Sequence, residues 1–133
     1  MKTRATEVPM RKVLRWATAI AYVLLLTVLL LRPIPAGFMP RFPQADKVLH
    51  FFALGLMGIL LLRAMTAPRA DRPGVPAWII AVTISVAYAV AIEFIQPSFG
   101  REYSVLDMLA GAVGIVALTF LWVRFRTRSV FLR

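Results

Sequence analysis

Four long apolar runs, each close to the length that crosses a bilayer, constrain this chain more than any other feature. An α-helix rises 1.5 Å per residue, so about 20 residues cover the roughly 30 Å of hydrocarbon. The runs lie at about 13–31, 44–63, 75–96 and 104–123. Backbone N–H and C=O groups find no water in lipid, so a spanning segment must satisfy them internally as a helix. The expected fold is therefore an all-α membrane protein, a bundle of four transmembrane helices in a single domain over residues 1–133. Connections rich in Pro and Gly (RPIPAGFMPRFP, TAPRADRPG and QPSFG) separate the spans, and no internal repeat is evident. The first run follows a basic start, MKTRATEVPMRK, as a signal peptide would. A signal's apolar stretch is only about 7 to 15 residues, so this run is expected to stay as a span.

Composition agrees, with 60% hydrophobic residues against about half in soluble domains and a mean hydropathy of +0.77. A net charge of +10 would suggest nucleic acid in a soluble protein. Here the basic residues flank apolar runs and form no patch interleaved with aromatics, so the expected partners are membrane lipids and no nucleic acid. Their distribution predicts orientation, because cytoplasmic flanks hold the excess of Lys and Arg. One side carries Lys2, Arg4, Arg11, Lys12, Arg15, Arg63, Arg69, Arg72, Arg124, Arg126, Arg128 and Arg133. The other carries only Arg32, Arg41, Lys47 and Arg101, which places both termini inside, N-in/C-in. With no cysteine, disulfides and thiolate metal sites are excluded.

That topology sets the ionisable residues of three spans at one height. Asp46 and His50 open span two, which begins near Pro43 or Gln44, Glu93 closes span three before Pro97, and Asp107 opens span four. Ionisable groups inside spans are costly, face protein or water, and mark candidate sites. Asp46 and His50 stand at i and i+4, and Glu93 and Gln96 at i and i+3, so each pair shares a helical face. Arg101 supplies a cation for Glu93 or Asp107. Structural roles compete with chemical ones. Ser104 and Asp107 form the capping box SVLD, Asp46 suits the positive end of a helix, and His50 can serve as an interhelical hydrogen-bond donor. Glu93 paired with Arg101 can act as structural glue. Gly55, Gly58, Ala110, Gly111 and Gly114 read as close-packing positions.

Asp46-Lys47-Val48-Leu49-His50, then Glu93-Phe94-Ile95-Gln96, then Arg101, then Asp107 with Leu109-Ala110 and Gly114, resembles the VanZ-like family. These are small membrane proteins named for a teicoplanin-resistance determinant, and their pattern runs DK-x-x-H, E-x-x-Q, Arg, Asp and a small-residue stretch. The match covers about residues 43 to 120. Gly111 departs from it, standing where the family often has Asn. The resemblance implies a four-helix bundle, a multi-pass place in a bacterial inner membrane, and a link to glycopeptide resistance or envelope properties.

The favoured function is an outward-facing polar cluster of Asp46, Lys47, His50, Glu93, Gln96, Arg101 and Asp107. It would bind or modify an envelope lipid, a cell-wall precursor or an amphipathic antibiotic such as a glycopeptide. The expectation is a protein that is not an enzyme, with no cofactor and no metal. One alternative is a structural or assembly subunit of a larger membrane complex. Another is an enzyme in which His50 acts as base or acid, with Glu93 and Asp107 as further catalytic candidates. Its metal version takes Asp46, His50 and Glu93 as ligands and suits Mg or Mn better than Zn. Transport is disfavoured, because the middles of the spans, around Leu24, Ile59, Ser85 and Val116, hold no ionisable residue.

Overall fold

A computed structural model describes residues 4–33, 35, 44–67, 70 and 73–128 of the chain. The described residues form helices α1 (Arg4–Leu31), α2 (Ala45–Met65), α3 (Val75–Ile95) and α4 (Val105–Arg128), with a 3-10 turn over Gln96–Phe99 and no strand. All four helices are long and apolar enough to cross a membrane, which makes this a multi-pass membrane protein. Lys2, Arg41, Pro43, Arg69, Arg72 and Arg133 of the sequence reading lie outside the described residues, as do the side chains of Arg4 and Arg128.

The spans fall where hydropathy puts them, but α1 and α4 run past their apolar cores at the end that bears the termini. Lys and Arg are good helix formers, so polar continuations of a span stay helical beyond it. At the far end of α3, Pro97 acts as a stop. It lacks the N–H that the next turn requires, and the chain tightens into the 3-10 turn and reverses at Gly100, whose φ is 80°. That left-handed conformation suits glycine. The Gly100 N–H bonds the Pro97 carbonyl at 3.3 Å and the Arg101 N–H bonds the Gln96 carbonyl at 3.2 Å, turning Arg101 back over the bundle.

The most extensive helix pair is α2 with α4. Leucine gains nothing by leaving lipid for another leucine, so close backbone approach at small residues drives such contacts. A Cβ on Gly114 would run into the backbone of Phe51, and one on Gly55 would lie 2.8 Å from the Gly114 carbonyl oxygen. Around this contact, Leu26, Leu54, Met57, Ala89, Ile92 and Ile115 make the buried core. Leu24, Val113 and Phe120 are among the large apolar side chains left exposed on the outer faces, where lipid covers them.

Polar ties link the helices at several depths. The Tyr22 hydroxyl donates to the Ala53 carbonyl at 3.0 Å, Thr27 and Tyr88 share a 2.7 Å hydrogen bond, and the Trp78 indole donates to Thr119 Oγ1 at 3.1 Å. At the end bearing the termini, Arg15 Nη1 donates to the Thr66 carbonyl at 3.0 Å. That carbonyl lies just past the negative end of α2, a favourable place for a cation. Gly114→Ala is predicted to force α2 and α4 apart and to lower stability by about 1–3 kcal/mol, read as the unfolding midpoint in mild detergent.

Candidate functional site

At one end of the bundle α1 and α3 finish while α2 and α4 begin, and the polar residues of the sequence motif meet there. The first turns of α2 supply Asp46, Lys47 and His50. His50 Nδ1 lies 3.0 Å from the Asp46 backbone oxygen and 3.7 Å from its carboxylate. A carbonyl can only accept, which assigns the ring proton to Nδ1. Nε2 is buried without a hydrogen-bond partner, on a residue only 3% exposed.

Arg101 lands elsewhere than its spacing suggests. The sequence points it at Glu93 or Asp107, but its Nη2 meets the Asp46 carboxylate at 3.3 Å and its Nη1 donates to the Leu30 carbonyl at 3.1 Å. The turn at Gly100 swings it over the end of α1 and the start of α2. Gln96 Nε2 donates to the same Leu30 oxygen, also at 3.1 Å. Leu30 was absent from the sequence reading. Its signal is generic, since the last carbonyls of any helix lack intrahelical donors, and nothing in the residue's type marks which one is used.

Glu93, 1% exposed, takes no cation of its own among these pairs. Its Oε1 accepts the Ser104 N–H at 2.6 Å. Ser104 Oγ in turn accepts the Asp107 N–H at 3.2 Å. The expected capping box is therefore half formed within SVLD, and its reciprocal half comes from Glu93 on α3. Asp107 is left to face α2, where Lys47 Nζ approaches Asp107 Oδ1 at 3.3 Å. Asp46, His50 and Asp107 each offer one donor atom within 4.8 Å of the other two. The carboxylates that join His50 in a potential ligand set are thus Asp46 and Asp107. The set inferred from sequence has Glu93 in the third place; Glu93 Oε1 accepts the Ser104 N–H, and it is Asp107 that stands with Asp46 and His50.

A cleft of about 300 Å³ opens beside this cluster between α1 and α2. Its walls are Leu26, Leu29, Leu30, Leu49 and Ala53, and its polar lining is Asp46, His50 and Arg101. Lys47, Glu93, Gln96 and Asp107 belong to the cluster but not to the lining. Gly111, the departure from the family pattern, packs beneath Leu54, whose side chain occupies the space a Cβ would enter.

The family model described as VanZ/LLP1 matches residues 11–126, a stretch that contains every residue of the cluster. No curated protein and no solved structure matches the chain.

The Glu93 bond to Ser104 separates two substitutions. Glu93→Gln keeps an acceptor oxygen and is predicted to fold with a near-native unfolding midpoint. Glu93→Leu leaves the Ser104 N–H unpaired and is predicted to cost about 1–3 kcal/mol. Equal midpoints for the two variants in detergent would contradict that role.

Proposed function

Because the chain belongs to the VanZ/LLP1 family, we propose that it sits in a bacterial inner membrane with both termini cytoplasmic and holds an amphipathic envelope molecule between α1 and α2. The observation that carries this is the composition of the cleft, where Asp46, His50 and Arg101 cap walls of leucine and alanine. A ligand with a polar head and an apolar body fits such a site, the head bonding to the cap and the body lying along the leucines. Envelope lipids, lipid-linked cell-wall precursors and amphipathic glycopeptides share that chemistry.

Orientation is supported by the two ends of the bundle. Arg11, Lys12, Arg15, Arg63, Arg124 and Arg126 lie at the end with the termini, together with Trp16, Trp78 and Trp122. Lys and Arg accumulate on the cytoplasmic side, and tryptophan settles at membrane interfaces. The capped cleft then opens toward the outer leaflet, where cell-wall intermediates and antibiotics meet the membrane.

Leu49 stands 45% exposed at the wall of the cleft, so Leu49→Trp fills the space without altering the cap. The wild type is predicted to carry an amphipathic adduct in native mass spectrometry, and Leu49→Trp to keep its unfolding midpoint while binding that adduct about tenfold more weakly, about 1.4 kcal/mol. In a deletion strain challenged with cell-wall antibiotics and detergents, the wild type should restore tolerance while Leu49→Trp and His50→Ala should not. Full adduct retention by Leu49→Trp would sink the proposal.

A further inference from the structure

Asp46 and Asp107 bring two carboxylates together from different helices beside His50, at the edge of a membrane span. Acidic clusters are common without ions, and His50 supplies an independent sign. Its Nδ1 proton is committed to a backbone carbonyl, which leaves the Nε2 lone pair buried and unpartnered. Histidines that ligate metals are held in this way, with the ring nitrogen opposite the metal donating to a carbonyl or carboxylate that fixes tautomer and orientation. Asp107 Oδ1 is also buried and has the Lys47 ammonium 3.3 Å away, which leaves Oδ2 to face an ion.

We propose that Asp46, His50 and Asp107 ligate one divalent cation at the polar end of the bundle. One imidazole and two carboxylates favour an ion of the Mn2+ kind, hard enough for oxygen and tolerant of nitrogen. Lys47 and Arg101 each touch one oxygen of a carboxylate at 3.3 Å. A carboxylate carries two oxygens with about four lone-pair sites, so both can still reach a cation. The set is Asp46, His50 and Asp107 because their ligating atoms lie within 4.8 Å of one another, while Glu93 Oε1 accepts the Ser104 N–H.

Charge gives the site its consequence for the cleft. Asp46, Glu93 and Asp107 face Lys47 and Arg101, so when all three carboxylates are ionised they outnumber the two cations by one and the bare cluster disfavours an anionic head group. A bound divalent cation reverses that sign, and the cap then attracts a phosphate or carboxylate head. Bound ions dominate local electrostatics in this manner. The cation site stands on the cluster alone, while the preference for an anionic head rests on the proposed function of the cleft.

The test is titration of the full-length protein with Mn2+ in maltoside detergent, after EDTA treatment and without added amphiphile, following loss of the free Mn2+ electron paramagnetic resonance signal. The expected result is saturable uptake of one ion per chain, weakened at least about tenfold in His50→Gln and in Asp107→Asn. Lys47→Met removes a cation that competes for Asp107 and should tighten uptake several-fold, a gain that misfolding cannot imitate. No saturable uptake by folded wild-type protein overturns the proposal, as does uptake unchanged in His50→Gln and Asp107→Asn. Either result leaves the cleft proposal standing, and a Leu49→Trp variant that retained its adduct would leave the cation site standing.

Discussion

A polar group at the edge of hydrocarbon must find its partner within the protein, because little water is there to supply one. Arg101 carries most of that demand at the motif end of the bundle. It joins the last carbonyls of α1, through Leu30, to the first turn of α2, through Asp46. Gln96 adds a second donor to Leu30, so the carbonyl is shared by two side chains from beyond the end of α3. Between its ends α1 is tied by Tyr22 to the Ala53 carbonyl and by Thr27 to Tyr88, while much of its apolar surface faces outward. At the opposite end Arg15 ties α1 to the end of α2. The two arginines hold α1 beside α2 at both ends, and the cleft lies at the Arg101 end, between that tie and the Tyr22 bond to Ala53.

The other side of the cluster depends on glycine. Gly55 and Gly114 let α2 and α4 approach to backbone contact, and that approach carries Asp107 up to Lys47 and His50. Ser104 completes the arrangement. Because Glu93 bonds its N–H, Asp107 does not fold back onto its own helix end and remains turned to α2. Packing in the middle of the bundle and chemistry at its end are therefore one problem, solved by the same pair of helices.

Sequence makes depth legible and rotation illegible. Hydropathy locates four spans, and the spacing of Asp46, His50, Glu93 and Asp107 puts them at a common height, as the structure does. Which residue faces which depends on how each helix turns about its axis, and spacing within a helix does not contain that angle. Arg101 on Asp46, where its spacing points to Glu93 or Asp107, follows from it, as does the approach of Asp107 to Asp46 and His50. The Leu30 carbonyl escapes for a different reason, since a backbone acceptor leaves no mark in the side chains. Gly111 is only half legible. Its smallness suggests close packing, but the partner, Leu54, is set by the same rotation of α2 against α4.

The central claim is that the Asp46 and Arg101 side chains act as one unit to fix α1 against α2. A double-mutant cycle with Asp46→Asn, Arg101→Gln and the double variant, read as unfolding free energies in detergent, measures that coupling directly. The account predicts an interaction energy of about 1 kcal/mol or more, with the double variant less damaged than the two single losses combined. Additive losses would contradict it, and would mean that the two side chains do not depend on one another.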